Sequence, residues 1–151
     1  MNKANQNTSY TEHEDVRLFQ EKFQIPMSKV PALLDSAAFN FRSGFMAEEL
    51  SEFIEAHTAS DLIGAADALV DLAYVLHGTA LMMGLPWELL WKEVQRANMA
   101  KERATHPGQS KRSSTLDVIK PVGWKGPNHA QFLGVSGWPV FNTVKWCDDE
   151  A

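Results

Sequence analysis

A chain of 151 residues suits one domain with a sizeable core, and an apolar fraction of 44% is that of an ordinary globular protein. The formal net charge of −5 argues against a general nucleic-acid surface. The single cysteine, Cys147, excludes an internal disulfide and fits a reducing, cytoplasmic setting.

Residues 1–10 are polar, carry no apolar signal core and read as a flexible N-terminus. Thr11 with Glu14 makes a capping-box pattern, and Val16, Phe19 and Phe23 give a short amphipathic helix that stops before Pro26. Pro26 and Pro31 mark a turn-rich connection. A second helix is predicted over residues 33–56, a short linker over 57–60, and a third helix capped by Ser60 and ended by Gly84. Pro86 is placed for the first turn of a fourth helix, which runs to about Ala104 before Pro107 and Gly108 stop it. No repeat or heptad is present. The pattern divides the chain into a helical domain over residues 11–104 and an extension over 105–151. In the extension, residues 109–115 are polar, basic and expected to be mobile, and residues 116–119 suggest a short hairpin or ordered loop. Its aromatics, Phe132, Trp138, Phe141 and Trp146, are expected to pack on the helices or on another subunit.

The chemistry concentrates in two pairs of carboxylates, Glu49 with Glu52 and Asp67 with Asp71. Between residues 62 and 83 the acidic and basic side chains are Asp67, Asp71 and His77. At 100° per residue, Leu62, Leu69, Leu72, Ala73, Leu76, Ala80 and Met83 cover the side opposite the aspartates, with Val70, Val75 and Leu81 on the flanks. A helix apolar nearly all round is expected to be buried. The two aspartates and the histidine oppose a membrane span. Buried carboxylates one turn apart call for basic partners or a metal. On the preceding helix, Glu48, Glu49, Glu52 and Glu55 share an arc of about 120°, with Met46, Leu50, Phe53 and Ile54 facing away. Such a stripe is equally a solvated face when taken alone. The short linker makes the two helices antiparallel neighbours, and a shared cation explains acids on both.

On the fourth helix, Trp87, Leu90, Trp91, Val94, Ala97, Asn98 and Lys101 fall on one stripe. Asn98 and Lys101 are either a frayed, snorkelling helix end or a fixed amide and a point charge for phosphate oxygens. Trp124 beside Lys125 is the candidate lid over a nucleotide.

The segments Glu48-Glu49-Leu-Ser-Glu52, Asp67-Ala-Leu-Val-Asp71-Leu-Ala-Tyr74, Gly78-Thr-Ala and Arg96-Ala-Asn98-Met-Ala-Lys101, followed by Gly-Trp-Lys-Gly-Pro, resemble those of the MazG-like all-α nucleoside triphosphate pyrophosphohydrolases. The resemblance spans residues 19–127 and is nearest the phosphoribosyl-ATP-pyrophosphohydrolase-like branch with the phage MazZ-type dGTP/dATP diphosphohydrolases. It implies an all-α fold with a four-helix-bundle core and a C-terminal irregular or hairpin extension, assembled as a homodimer or homotetramer. It also implies conversion of a nucleoside triphosphate to the monophosphate and pyrophosphate with Mg²⁺ or Mn²⁺. Glu49 and Glu52 match the family's ExxE metal ligands, and Asp71 the aspartate of its later ExxD pair. Ala68 stands where that pair has glutamate. Asp67, about 100° away around the helix, ligates directly, through water, or by orienting another ligand.

Oxygen-only ligands suit hard Mg²⁺ or Mn²⁺, and with one or two ions bound the chemistry is in-line attack of water on the α-phosphorus with pyrophosphate leaving. Glu48 or Glu52 is the candidate base for that water. Arg42, Asn98, Lys101 and Lys125 are candidates for the phosphate oxygens, Arg42 being equally readable as a surface arginine. The resemblance favours dGTP, then dATP, and nucleotide-pool control, in a phage for modified-base synthesis in the host cytoplasm. The competing enzyme readings are phosphoribosyl-ATP, dCTP or dUTP hydrolysis. The non-enzyme reading is a helical interaction module holding a structural cation. Neither a nucleic-acid polymer nor a membrane is an expected partner.

Overall fold

The computed structural model of the protein describes residues 11–134. Cys147, Trp138, Phe141, Trp146 and the start over residues 1–10 lie outside the described residues. The chain is all-α in class, with helices α1 (Glu12–Lys22), α2 (Ser36–Thr58), α3 (Leu62–Met82), α4 (Trp87–Met99) and α5 (Ala130–Leu133), a 3-10 turn at Pro107–Gln109, and strands β1 (Glu102–Arg103) and β2 (Val118–Ile119). The described residues form two compact units, one ending at Leu85 and the other beginning at Pro86.

In the first unit, α1 and α2 each pack on α3. The Thr11 side chain accepts from the Glu14 amide, so the capping signal starts α1 where it was expected. Val16 at 2% exposure and Gln20 one turn later are the buried side of α1. His13 and His77 tie α1 to α3 through their Nδ1 atoms, 3.1 Å apart. The helix α2 begins at Ser36 under an Asp35 cap, three residues later than predicted, because the Asp35 carboxylate takes the Ala38 amide. Asp61, not Ser60, caps α3: its carboxylate accepts from the amides of Ile63 and Gly64. Ser60 is instead the turn residue, in the left-handed region at φ +59°. At the other end, the Leu85 amide reaches the Ala80 carbonyl and the Gly84 amide the Leu81 carbonyl, a Schellman closure with Gly84 at φ +63°. A Cβ at Gly84 would stand 2.5 Å from the Val30 carbonyl oxygen, so the connection after α1 is pinned against this turn.

Burial corrects the expectation for both long helices. On α3 the buried residues are Ala65, Ala68, Val75, Gly78 and Ala80, whereas Leu62, Ile63, Leu69, Val70 and Leu76 are exposed. Asp67 and Asp71 are exposed as well. On α2 the buried side chains are Arg42 and Glu49, and the apolar Leu50 and Ile54 point outward. Small residues on α3 let α2 approach closely, and close approach buries Arg42 and Glu49 while Leu50 and Ile54 face outward. With a mean hydropathy of 1.2 over 18 residues, α3 is long and apolar enough to cross a membrane by length and composition, and 22% of that stretch is buried.

In the second unit, α4 stops at Met99, five residues short of the predicted end. The chain turns at Ala100 to reach β1, which pairs antiparallel with β2, Glu102 opposite Ile119 and Arg103 opposite Val118. Residues 105–117 carry hydrogen bonds of their own. The Thr105 amide and hydroxyl donate to Gln109, the Ser110 hydroxyl donates to Asp117, and Arg112 pairs with Asp117 at 2.9 Å.

Candidate active site

Glu49 is the centre of the arrangement on α2 and α3. It is 7% exposed, and its Oε2 is buried without a hydrogen-bond partner among the described residues. Burial pushes its carboxyl up, and the charges of Glu52, Asp71, Glu48 and Asp67 push it further in that order. Four of the acids singled out from sequence therefore act on Glu49, all four from the solvent side. They do not form a finished ligand shell. Among the described residues, no group of three or more His, Cys, Asp or Glu side chains is drawn together as a metal site.

Glu49 and Asp71 line a cavity of about 210 Å³ between α1, α2 and α3. Its other walls include Gln20, Phe19, Phe45, Tyr74 and Arg42. Arg42 is not the surface arginine that one reading of the sequence allows. It is 8% exposed, donates from Nε to the Thr79 hydroxyl at 3.0 Å and from Nη2 to the Val75 carbonyl at 2.5 Å, and so braces α2 on α3. Gly78 makes room for this. A Cβ there would stand 2.8 Å from Arg42 Nη2 and 3.4 Å from Gln20 Nε2. Burial, with the charge of Asp15, pushes the Tyr74 hydroxyl up.

Sequence reasoning missed Gln20. The signal was available, since Gln20 lies four residues after Val16 and shares its face of α1.

In the second unit, Trp124 Nε1 donates to the Ala97 carbonyl at 2.7 Å, at the last turn of α4. Lys101 and Lys120 lie 5.6 Å and 4.6 Å from the centre of the Trp124 ring. The stripe expected to carry Asn98 and Lys101 is corrected by the early end of α4. Asn98 sits exposed in the final turn, and Lys101 lies beyond the helix, part-buried beside Trp124. Lys125 is exposed. Glu93 and Arg96 hold the segment that follows: Glu93 accepts from the Asn128 amide at 2.9 Å, and Arg96 donates to the Gly126 carbonyl at 3.1 Å. Arg96 and the Asn128 amide lower the Glu93 carboxyl to about 2.

The phosphoribosyl-ATP pyrophosphohydrolase family model matches residues 16–98, more than half of the chain, and the chain belongs to that family. It is accordingly a nucleotide pyrophosphohydrolase in the general sense. No curated protein matches the chain.

Proposed function

We propose that the protein hydrolyses a nucleoside triphosphate to the monophosphate and pyrophosphate, with a purine deoxynucleotide, dGTP ahead of dATP, as substrate and Mg²⁺ or Mn²⁺ as cofactor. The observation that carries this reading is Glu49, a buried carboxylate with an unpartnered oxygen and four further acids acting on it. Repulsion of this kind is what a divalent cation removes, and an all-oxygen donor set fits a hard ion. Glu49, Glu52 and Asp71 would hold it, with Asp67 directly or through water. When bound, the metal supplies charge neutralisation of the phosphates and a water of lowered pKa.

The chain's own groups supply the rest. Glu48 or Glu52, exposed beside Glu49 on α2, accepts the proton of the attacking water. Asn98, Lys101 and Lys125 of the second unit are the candidates for the phosphate oxygens that the family resemblance implies. Arg42 contributes by fixing α2, and with it Glu49, on α3. The apolar face of α2 and α3, with Leu50, Ile54, Leu62, Ile63 and Val70 exposed, favours a homodimer or homotetramer in which another copy covers it. Nucleotide-pool control in a cytoplasm follows from such an activity, for modified-base synthesis if the setting is a phage.

Incubating the protein with each canonical deoxynucleoside triphosphate, with phosphoribosyl-ATP and with Mg²⁺ or Mn²⁺, and identifying the products, tests the reading. Release of pyrophosphate and a purine monophosphate is expected. Turnover of phosphoribosyl-ATP or of dCTP or dUTP alone would replace the substrate, and metal-dependent melting without any turnover would leave a cation-binding interaction module.

A further inference from the structure

Gln20 is the one fully buried polar side chain of the cavity that the acid cluster does not use. It is 2% exposed, and its Nε2 donates to the Gly78 carbonyl at 3.2 Å. That bond fixes which way the amide faces. Its Oε1 is buried and meets no hydrogen-bond partner among the described residues. Arg42, the cation lining the same cavity, already donates to Val75 and Thr79. An amide oxygen so placed accepts a donor from whatever enters.

The chemistry of a nucleotide narrows the donor. Phosphate oxygens are acceptors, so the group that meets Oε1 is a sugar hydroxyl or an N–H of the base. The walls decide between them: Phe19, Phe45 and Tyr74 line the cavity, and aromatic walls suit a ring system. At about 210 Å³ the cavity is smaller than the roughly 300–1,000 Å³ of a complete small-molecule site, and so takes part of a substrate. We propose that Gln20 is a specificity-determining residue whose Oε1 accepts a hydrogen bond from an N–H on the edge of the substrate's base, seated among Phe19, Phe45 and Tyr74. This rests on the reading of the protein as a nucleoside triphosphate hydrolase. A site built to bond a substrate N–H discriminates against analogues lacking it, because the buried acceptor is then left unpaired.

The test is kcat/KM of wild type and Gln20→Met on each of the four deoxynucleoside triphosphates, and on the preferred one methylated at its donor nitrogen. Gln20→Met should lose about tenfold on the preferred base and much less on the others, so that selectivity flattens. The methylated nucleotide should lose a similar factor on wild type and nothing more on the variant. Loss shared equally by all bases, as a sugar contact or a structural role would give, overturns the proposal, as does unchanged selectivity. Should Gln20→Met fail to fold, wild type decides alone: indifference to methylation overturns the assignment. A wild type that hydrolyses every base equally sinks only this inference, and one that hydrolyses no nucleotide sinks the parent reading with it.

Discussion

Glu49 and Glu93 are both largely shielded glutamates on long helices, and their surroundings push them in opposite directions. Glu93 is met by Arg96 and by the Asn128 amide, and its carboxyl falls to about 2. Glu49 is met by burial and four like charges, and its carboxyl rises. A carboxylate satisfied by its own fold is doing structural work, in this case fastening residues 126–128 to α4. One left unsatisfied and repelled is held ready for something the fold does not contain, which is the usual signature of a site.

Breaking each glutamate sharpens the contrast. The largest effect is expected from Glu49→Gln or Glu52→Gln, which should cut turnover by more than the roughly 10–100-fold that loss of an outer-shell partner costs, with the fold intact. Steady-state kinetics with circular dichroism checks this. Lys101→Ala should raise KM or lower kcat by about tenfold for the triphosphate, read in the same assay. Glu93→Gln should leave the chemistry at Glu49 alone and lower the midpoint of thermal unfolding by about 2–4 °C.

The pH dependences should also be opposite. The Glu93 carboxyl is depressed, so its contribution to stability is present above the ordinary carboxylate range and lost as pH falls toward 2. The penalty of Glu93→Gln should therefore disappear in acid melts. The Glu49 carboxyl is raised, so its favourable contribution is full below the ordinary range and lost as pH rises through its elevated value. Glu49→Gln should then melt higher than wild type at pH 7 without divalent cation, and no higher at pH 4. This is the smallest of the expected effects, and calorimetric scans at the two pH values measure it.

Much of this arrangement was readable in the residues. Thr11 with Glu14, Gly84 before Pro86, and the spacing of Glu49, Glu52 and Asp71 marked the ends of helices and the acids that interact. Which faces are buried was not readable, because an apolar stripe on α3 reads the same whether the chain or a second copy covers it. Leu62 and Leu69 were expected in the core and are exposed, while Arg42 and Glu49 are buried. The end of α4 was missed because Lys101, Glu102 and Arg103 are all good helix formers with no glycine or proline among them. Ser60 and Asp61 are both good caps side by side, and only the amides each one reaches distinguish them.

Calorimetric titration of Mn²⁺ into the nucleotide-free wild type and into Glu49→Gln reads the buried carboxylate directly. Saturable binding by the wild type, weakened at least tenfold in Glu49→Gln and accompanied by a rise in melting temperature only in the wild type, is the expected result. Equal affinity in the two proteins, or no binding by the wild type, would contradict the assignment of Glu49 as the heart of a cation site.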